Sequence, residues 1–227
     1  MNKNKKSKMI REFIRFIFIL LFFTFLIFFS AGSIKYLNGW IFVGAFFLPD
    51  LIILIYLAIK DPDLLQKRLD DQEEEKTQKF FIHSFRITAL SILIVSGLDY
   101  RFQWSNISIW LVITSAIIII FSFILSFIVM KQNSYASRTI EIQKGQKLID
   151  AGLNSIIRHP MYLSAILIFC PVPLVLGSIY GFLLSIVIIP FLFIIRIMNE
   201  EKVLQQDLIG YADYMKKVKY RIIPFIW

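Results

Sequence analysis

Long apolar runs separated by short, strongly polar stretches set the pattern of this chain. The first run covers about residues 13–31, behind a basic segment holding Lys3, Lys5, Lys6, Lys8 and Arg11. Others cover about 40–59, 80–97, 107–130, 161–178 and 179–195. They are continuous rather than alternating, and most approach the roughly 20 residues an apolar helix needs to cross a bilayer. Only helices and closed barrels satisfy their backbone in lipid. The pattern therefore predicts an all-α, polytopic membrane protein with about six transmembrane helices. The last two runs abut with almost no connector, which predicts a tight hairpin around Gly177 and Gly181. The first run is longer than the apolar core of a signal peptide and is expected to stay as a helix. Pro49-Asp50 interrupts the second run and predicts a kink, with the Asp facing a polar interior.

The polar stretches add orientation. Residues 60–79 mix seven acidic side chains with Lys67, Arg68, Lys76 and Lys79, reading as a solvated loop with some helix. Residues 131–157 are the longest polar stretch between spans. With six spans, Lys35 and Arg101 are almost the only cations left for the outer turns, so both termini are expected in the cytoplasm. After the last run, Leu204, Leu208, Tyr211, Met215 and Val218 recur at steps of four, three, four and three. That spacing predicts an amphipathic C-terminal helix at the cytoplasmic membrane interface.

Composition narrows the function classes. Hydrophobic residues make up 57% of 227 positions, 23 of them Phe, and mean hydropathy is +0.68. The net charge of +9 fits membrane topology and anionic headgroups better than nucleic acid, since no basic run is interleaved with aromatics. His83 and His159 are the two histidines, and Cys170 the one cysteine, which argues against a histidine-based metal site or a disulfide framework. One membrane domain over 1–227 is expected, with helices in 1–130 and the chemistry-bearing region in 131–227. Candidate chemistry concentrates at two membrane-edge places. Arg158-His159-Pro160 precedes a charge-free run, with proline suited to a first helical turn. Arg196 and Glu200 sit one turn apart at the other edge.

Together these stretches resemble the isoprenylcysteine carboxyl methyltransferase family in its prokaryotic form, which is related to the phospholipid N-methyltransferases. The resemblance rests on Gly152, Arg158-His159-Pro160-x-Tyr162, Glu200-Glu201-x-x-Leu204, Gly210-Tyr211-x-x-Tyr214 and Arg221 to Pro224. Upstream it includes Leu98 to Phe102, Trp104-Ser105 and the segment 133–143, and more loosely Gly39-Trp40 and the segment 61–68. It implies a membrane enzyme using S-adenosyl-L-methionine, held by Gln143, Gln146, Lys147, Leu148, Ile149, His159, Pro160, Met161, Tyr162 and Glu200. Arg196 falls where the family has its substrate-side arginine. The implied substrate is a lipophilic carboxylate entering from the bilayer of the plasma membrane, with membrane lipids as surroundings and neither metal nor nucleic acid as partner. A lipid-amine N-methyltransferase, an NADPH-dependent sterol-type reductase and a non-catalytic membrane protein are the alternatives. Asn154 departs from the family's usual tyrosine.

Overall fold

Apolar side chains on every face make each long segment helical, because the backbone hydrogen bonds then close within the segment. A computed structural model describes residues 3–62, 64–65, 76–132 and 146–227. Among them all regular structure is helical: α1 (Lys3–Ala31), α2 (Leu37–Lys60), α3 (Lys76–Phe102), α4 (Ile109–Gln132), α5 (Pro160–Phe169), α6 (Val172–Val175), α7 (Ile179–Asp207) and α8 (Tyr211–Lys217), with a 3₁₀ turn at Gly152–Ser155. Five helices, α1 to α4 and α7, are long and apolar enough to span a bilayer.

The run at 161–178 differs from the single span expected of it. It forms the ten-residue α5 and the four-residue α6, divided around Cys170 and Pro171. Pro171 and Pro173 lack the N–H groups a continuing helix would use. The turn that follows centres on Gly177, at φ +77°, whereas Gly181 lies inside α7. Pro49 is also taken up within a continuous α2.

Helix α3 packs against α1 and α7, while α4 packs against α2, α5 and α6. Their common core is largely aromatic. Phe46 meets Phe123 edge-on at 5.4 Å, and Phe85 meets Phe169 at 4.8 Å. Such edge contacts stabilise a ring pair by about 0.5–1.5 kcal/mol beyond area burial.

At the end where α3 finishes and α7 begins, Asp99 ties three segments together. Its Oδ1 accepts from the Ser105 backbone N–H at 2.7 Å, and its Oδ2 accepts from Ser105 Oγ and Ser178 Oγ. Ser178 caps α7 by accepting from the Gly181 N–H. The opposite end of α7 carries Arg196, Glu200 and Glu201.

Candidate functional site

The chain enters this end through a turn in a left-handed backbone conformation. Gly152 has φ +61°, and a Cβ there would stand 2.5 Å from Gln132 Oε1, so glycine is required. Gln132 in turn accepts from the Leu153 N–H at 3.2 Å, anchoring the 3₁₀ turn to the end of α4. His159 leaves the helical region at φ −126°, ψ 60°, away from the α conformation that a following proline disfavours, and Pro160 opens α5.

Two backbone bonds fix Arg158 and His159 against the C-terminal segment. The Arg158 N–H donates to Tyr220 O at 2.9 Å and the His159 N–H to Arg221 O at 2.8 Å. Arg158 Nη1 also donates to the carbonyls of Val218 and Lys219. At the centre lies Glu201, buried on α7. Its Oε1 accepts from Arg158 Nε at 2.7 Å and from His159 Nε2 at 3.2 Å; its Oε2 accepts from Arg221 Nε at 2.8 Å. A buried carboxylate surrounded this way has its charge compensated and its lone pairs occupied.

An ionised carboxylate can only accept, so His159 Nε2 carries the proton of that bond. The other ring nitrogen is Nδ1. It faces Glu200 Oε2 at 3.8 Å, too far for a direct bond. Glu200 Oε2 is itself buried without a hydrogen-bond partner among the described residues. A buried carboxylate oxygen left without a donor has room for one from a ligand.

Tyr162, one turn into α5, joins this cluster to Arg196. Its hydroxyl accepts from Arg196 Nε at 3.0 Å and also faces Glu200. Its ring lies 5.5 Å from the His159 ring, nearly parallel. Arg196 is buried, with its guanidinium carbon 4.7 Å from the centroid of Phe81 on α3. Phe81 stacks on Phe85, which meets Phe169. These rings lead to a wholly apolar cavity of about 30 Å³ lined by Phe42, Phe46, Ile92 and their neighbours.

The amphipathic C-terminal helix takes a different form from the one its periodicity predicts. Helix α7 runs to Asp207, the chain turns through Gly210 at φ +85°, and α8 holds only seven residues. Leu208, Tyr211, Tyr214 and Val218 do gather on one face, but they pack inward with Leu148, Leu204 and Met215. Tyr214 donates to Asn154 O at 2.6 Å. Burial pushes the Tyr211 phenol pKa up, and the charges of Glu201 and Glu200 push it further.

The structure thus brings His159, Pro160, Tyr162, Arg196 and Glu200 to one place. Met161 lies beside them, with its sulfur 3.5 Å from Ser126 Oγ. Leu148 reaches the Tyr211 cluster; Gln146 and Ile149 are half-buried, and Lys147 is exposed. Gln143 lies outside the described residues. Sequence reasoning left out Glu201, Arg221 and Phe81 as site residues. The paired Glu200-Glu201 and Arg221 stood in the quoted motifs. Phe81 carried no signal, being one aromatic in an apolar run.

Residues 110–208 match the family model described as phospholipid methyltransferase. The matched stretch starts at the head of α4 and ends just past α7. It therefore contains His159, Arg196, Glu200 and Glu201, but neither Tyr211 nor Arg221. No curated protein matches the chain.

Proposed function

We propose that this protein is an integral-membrane, S-adenosylmethionine-dependent methyltransferase that O-methylates the carboxylate of a lipophilic substrate. The observation that carries the reading is the buried Glu200 Oε2, without a hydrogen-bond partner among the described residues, 3.8 Å from His159 Nδ1 and one turn from a buried arginine. A nucleoside cofactor with an ammonium and ribose hydroxyls has donors suited to that gap. His159, Tyr162 and Glu200 would hold it, with Gln146, Lys147, Leu148, Ile149, Pro160 and Met161 around it and Gln143 from the adjoining segment. When bound, it supplies an electrophilic methyl group on a sulfonium.

The chain's own work is then positioning and exclusion of water. A carboxylate acceptor is already ionised near neutral pH and needs no general base. Arg196 offers a planar guanidinium that can grip it, while Tyr162 and Phe81 limit the rotamers of that guanidinium. A lipid chain would lie along the Phe81–Phe85–Phe169 seam toward the apolar cavity, reached laterally from the bilayer. Orientation with both termini in the cytoplasm would give the cofactor aqueous access from that side.

The description of the matched family favours N-methylation of a lipid amine as a second reading. Against it, a protonated amine would meet the charge of Arg196, and among the described residues Glu201 is taken by three donors and Glu200 is assigned to the cofactor, leaving the site no further carboxylate to deprotonate it.

The test is calorimetric titration of the detergent-purified protein with S-adenosylhomocysteine and with NADPH. Saturable binding of the first alone is expected; binding of NADPH alone would move the protein to the sterol-type reductases and end this reading. Transfer of labelled methyl from S-adenosylmethionine to prenyl-cysteine analogues or to phosphatidylethanolamine then separates the carboxylate acceptor from the amine.

A further inference from the structure

Beyond α8, residues 220–227 form a turn closed by its own backbone. The N–H groups of Arg221, Ile222 and Ile223 all donate to Trp227 O, at 2.9, 3.1 and 3.3 Å, and the Trp227 N–H returns a bond to Ile223 O at 3.1 Å. The Arg221 guanidinium carbon lies 5.0 Å from the centroid of the Trp227 ring, and the Tyr220 and Phe225 rings are 5.2 Å apart. These bonds set the shape, and within it Phe225 holds φ +66°, a conformation that side chains disfavour. The turn sorts its apolar residues sharply. Ile222 is buried at 4% exposure, whereas Phe225 and Ile226 stand 88% and 77% exposed and Ile223 45%. Apolar side chains grouped on the outside of a fixed turn mark a surface with an apolar partner.

The level of the turn identifies that partner. Three of the four tryptophans, Trp40, Trp104 and Trp110, are exposed at the end where α7 begins, and Trp104 meets Tyr180 edge-on at 6.0 Å. Exposed aromatics gathered in this way form the belt that marks one bilayer interface. Along α7, Glu201 stands about 33 Å from Ile179, at the far edge of a hydrocarbon core of about 30 Å. Arg221 Nε donates to Glu201 Oε2 at 2.8 Å, and Arg221 O accepts from the His159 N–H, so the turn is fastened at that depth. Trp227, the fourth tryptophan, therefore stands at the second interface, the one the spans leave without a tryptophan. Lys219, exposed just ahead of the turn, adds a cation for headgroup phosphates. Three apolar side chains fall far short of the roughly 800 Å² per partner of a stable protein interface, whereas binding to lipid scales with whatever apolar area is buried.

We propose that the turn at 220–227 seats Phe225 and Ile226 in the headgroup–acyl boundary of the bilayer, a membrane contact separate from the spans. The periodicity of 204–218 predicts this role for that stretch, but its apolar face packs inward, and the contact passes to the residues after it. The inference needs the membrane spans alone and holds whatever reaction the site performs.

The test places one nitroxide at a time on the full-length protein in nanodiscs of phosphatidylcholine and phosphatidylglycerol. Cys170→Ala removes the native thiol, and Phe225→Cys, Ile226→Cys, Lys216→Cys and Val187→Cys each supply a single new one. Power-saturation EPR then reads collisions with oxygen, which concentrates in lipid, and with a neutral nickel chelate, which stays in water. Val187, 67% exposed on α7, is the lipid reference, and Lys216, its side chain 79% exposed on α8, the water reference. The label at 225 is expected to show an oxygen-to-nickel ratio about fivefold above that at 216 and close to that at 187, as for a side chain about 5–10 Å into the boundary. Position 226 carries the same expectation should the Phe225→Cys protein fail to reconstitute. A ratio equal to that at 216 would put the tip in water and overturn the inference. So would a label shielded from both colliders. Spectral broadening that disappears on dilution with unlabelled protein would then assign the surface to a second copy, and no broadening would assign it to this chain's own residues.

Discussion

Arg158 and Glu201, forty-three residues apart in the chain, are joined by a 2.7 Å bond between Nε and Oε1, with both side chains almost completely buried. That bond ties the turn before α5 to the end of α7, and the second oxygen of Glu201 extends the tie to Arg221. The carboxylate is therefore the point at which three separate segments of the site meet.

Removing it should be costly. Glu201→Ala would leave the buried Arg158 without its counter-charge, an effect of about 3–5 kcal/mol for comparable pairs. We expect a clear drop in the thermal midpoint in detergent and a larger loss than for Arg221→Ala, whose side chain is partly exposed. Equal effects of the two substitutions would show that Arg158 does not depend on this carboxylate.

Arg196 and Glu200 should separate by readout. Arg196→Lys keeps a charge but loses the flat guanidinium lying over Phe81 and its bond to Tyr162. Turnover is expected to fall by about 10- to 100-fold, with affinity for S-adenosylhomocysteine nearly unchanged. Glu200→Ala should instead weaken that affinity. Isothermal titration beside a methyl-transfer assay distinguishes the two.

Tyr214 predicts a response to alkali. Burial is the main reason its phenol pKa rises from an ordinary 10.0 to about 12. The unfolded chain releases this proton first, so the contribution is complete below about pH 10 and is lost as pH rises toward 12. Tyr214→Phe should destabilise the protein by about 1 kcal/mol at neutral pH through the lost bond to Asn154 O. It should also make stability less steep in pH across that window. A parallel pH profile for wild type and variant would contradict the burial argument.

Gly152→Ala should lower the thermal midpoint, because a Cβ is doubly unwelcome there. The positive φ costs about 1–2 kcal/mol for a residue with a side chain, and the new carbon would press on Gln132. Combining it with Gln132→Ala should recover only the part due to the clash. Full recovery would mean that the backbone angle costs nothing.

The sequence made the membrane helices readable because lipid imposes one long apolar period. A motif resemblance also singled out His159, Arg196 and Glu200, which the structure brings to one end of α7. Two features were hidden for physical reasons. Hydropathy alone cannot tell a span from two short helices, so the break around Cys170 and Pro171 was read as continuous. Helical spacing identifies which residues share a face but not what covers that face. Leu208, Tyr211 and Val218 were therefore assigned to the membrane surface, whereas Leu148 and Leu204 cover them. The role of Glu201 depends on Arg158 and Arg221, and those distances in sequence give no local signal.

Helix α7 has 29 residues and is about 44 Å long at 1.5 Å per residue. That exceeds a hydrocarbon core of about 30 Å, so one continuous rod reaches from lipid into water. Arg196 and Glu200 are consequently indexed to each other by helical rise and rotation alone, without a loop between them to absorb error. A single inserted residue at positions 197–199 would swing the carboxylates about 100° around the axis relative to the arginine. The buried guanidinium at the membrane edge and the carboxylates one turn beyond it are held in register like two marks on one ruler.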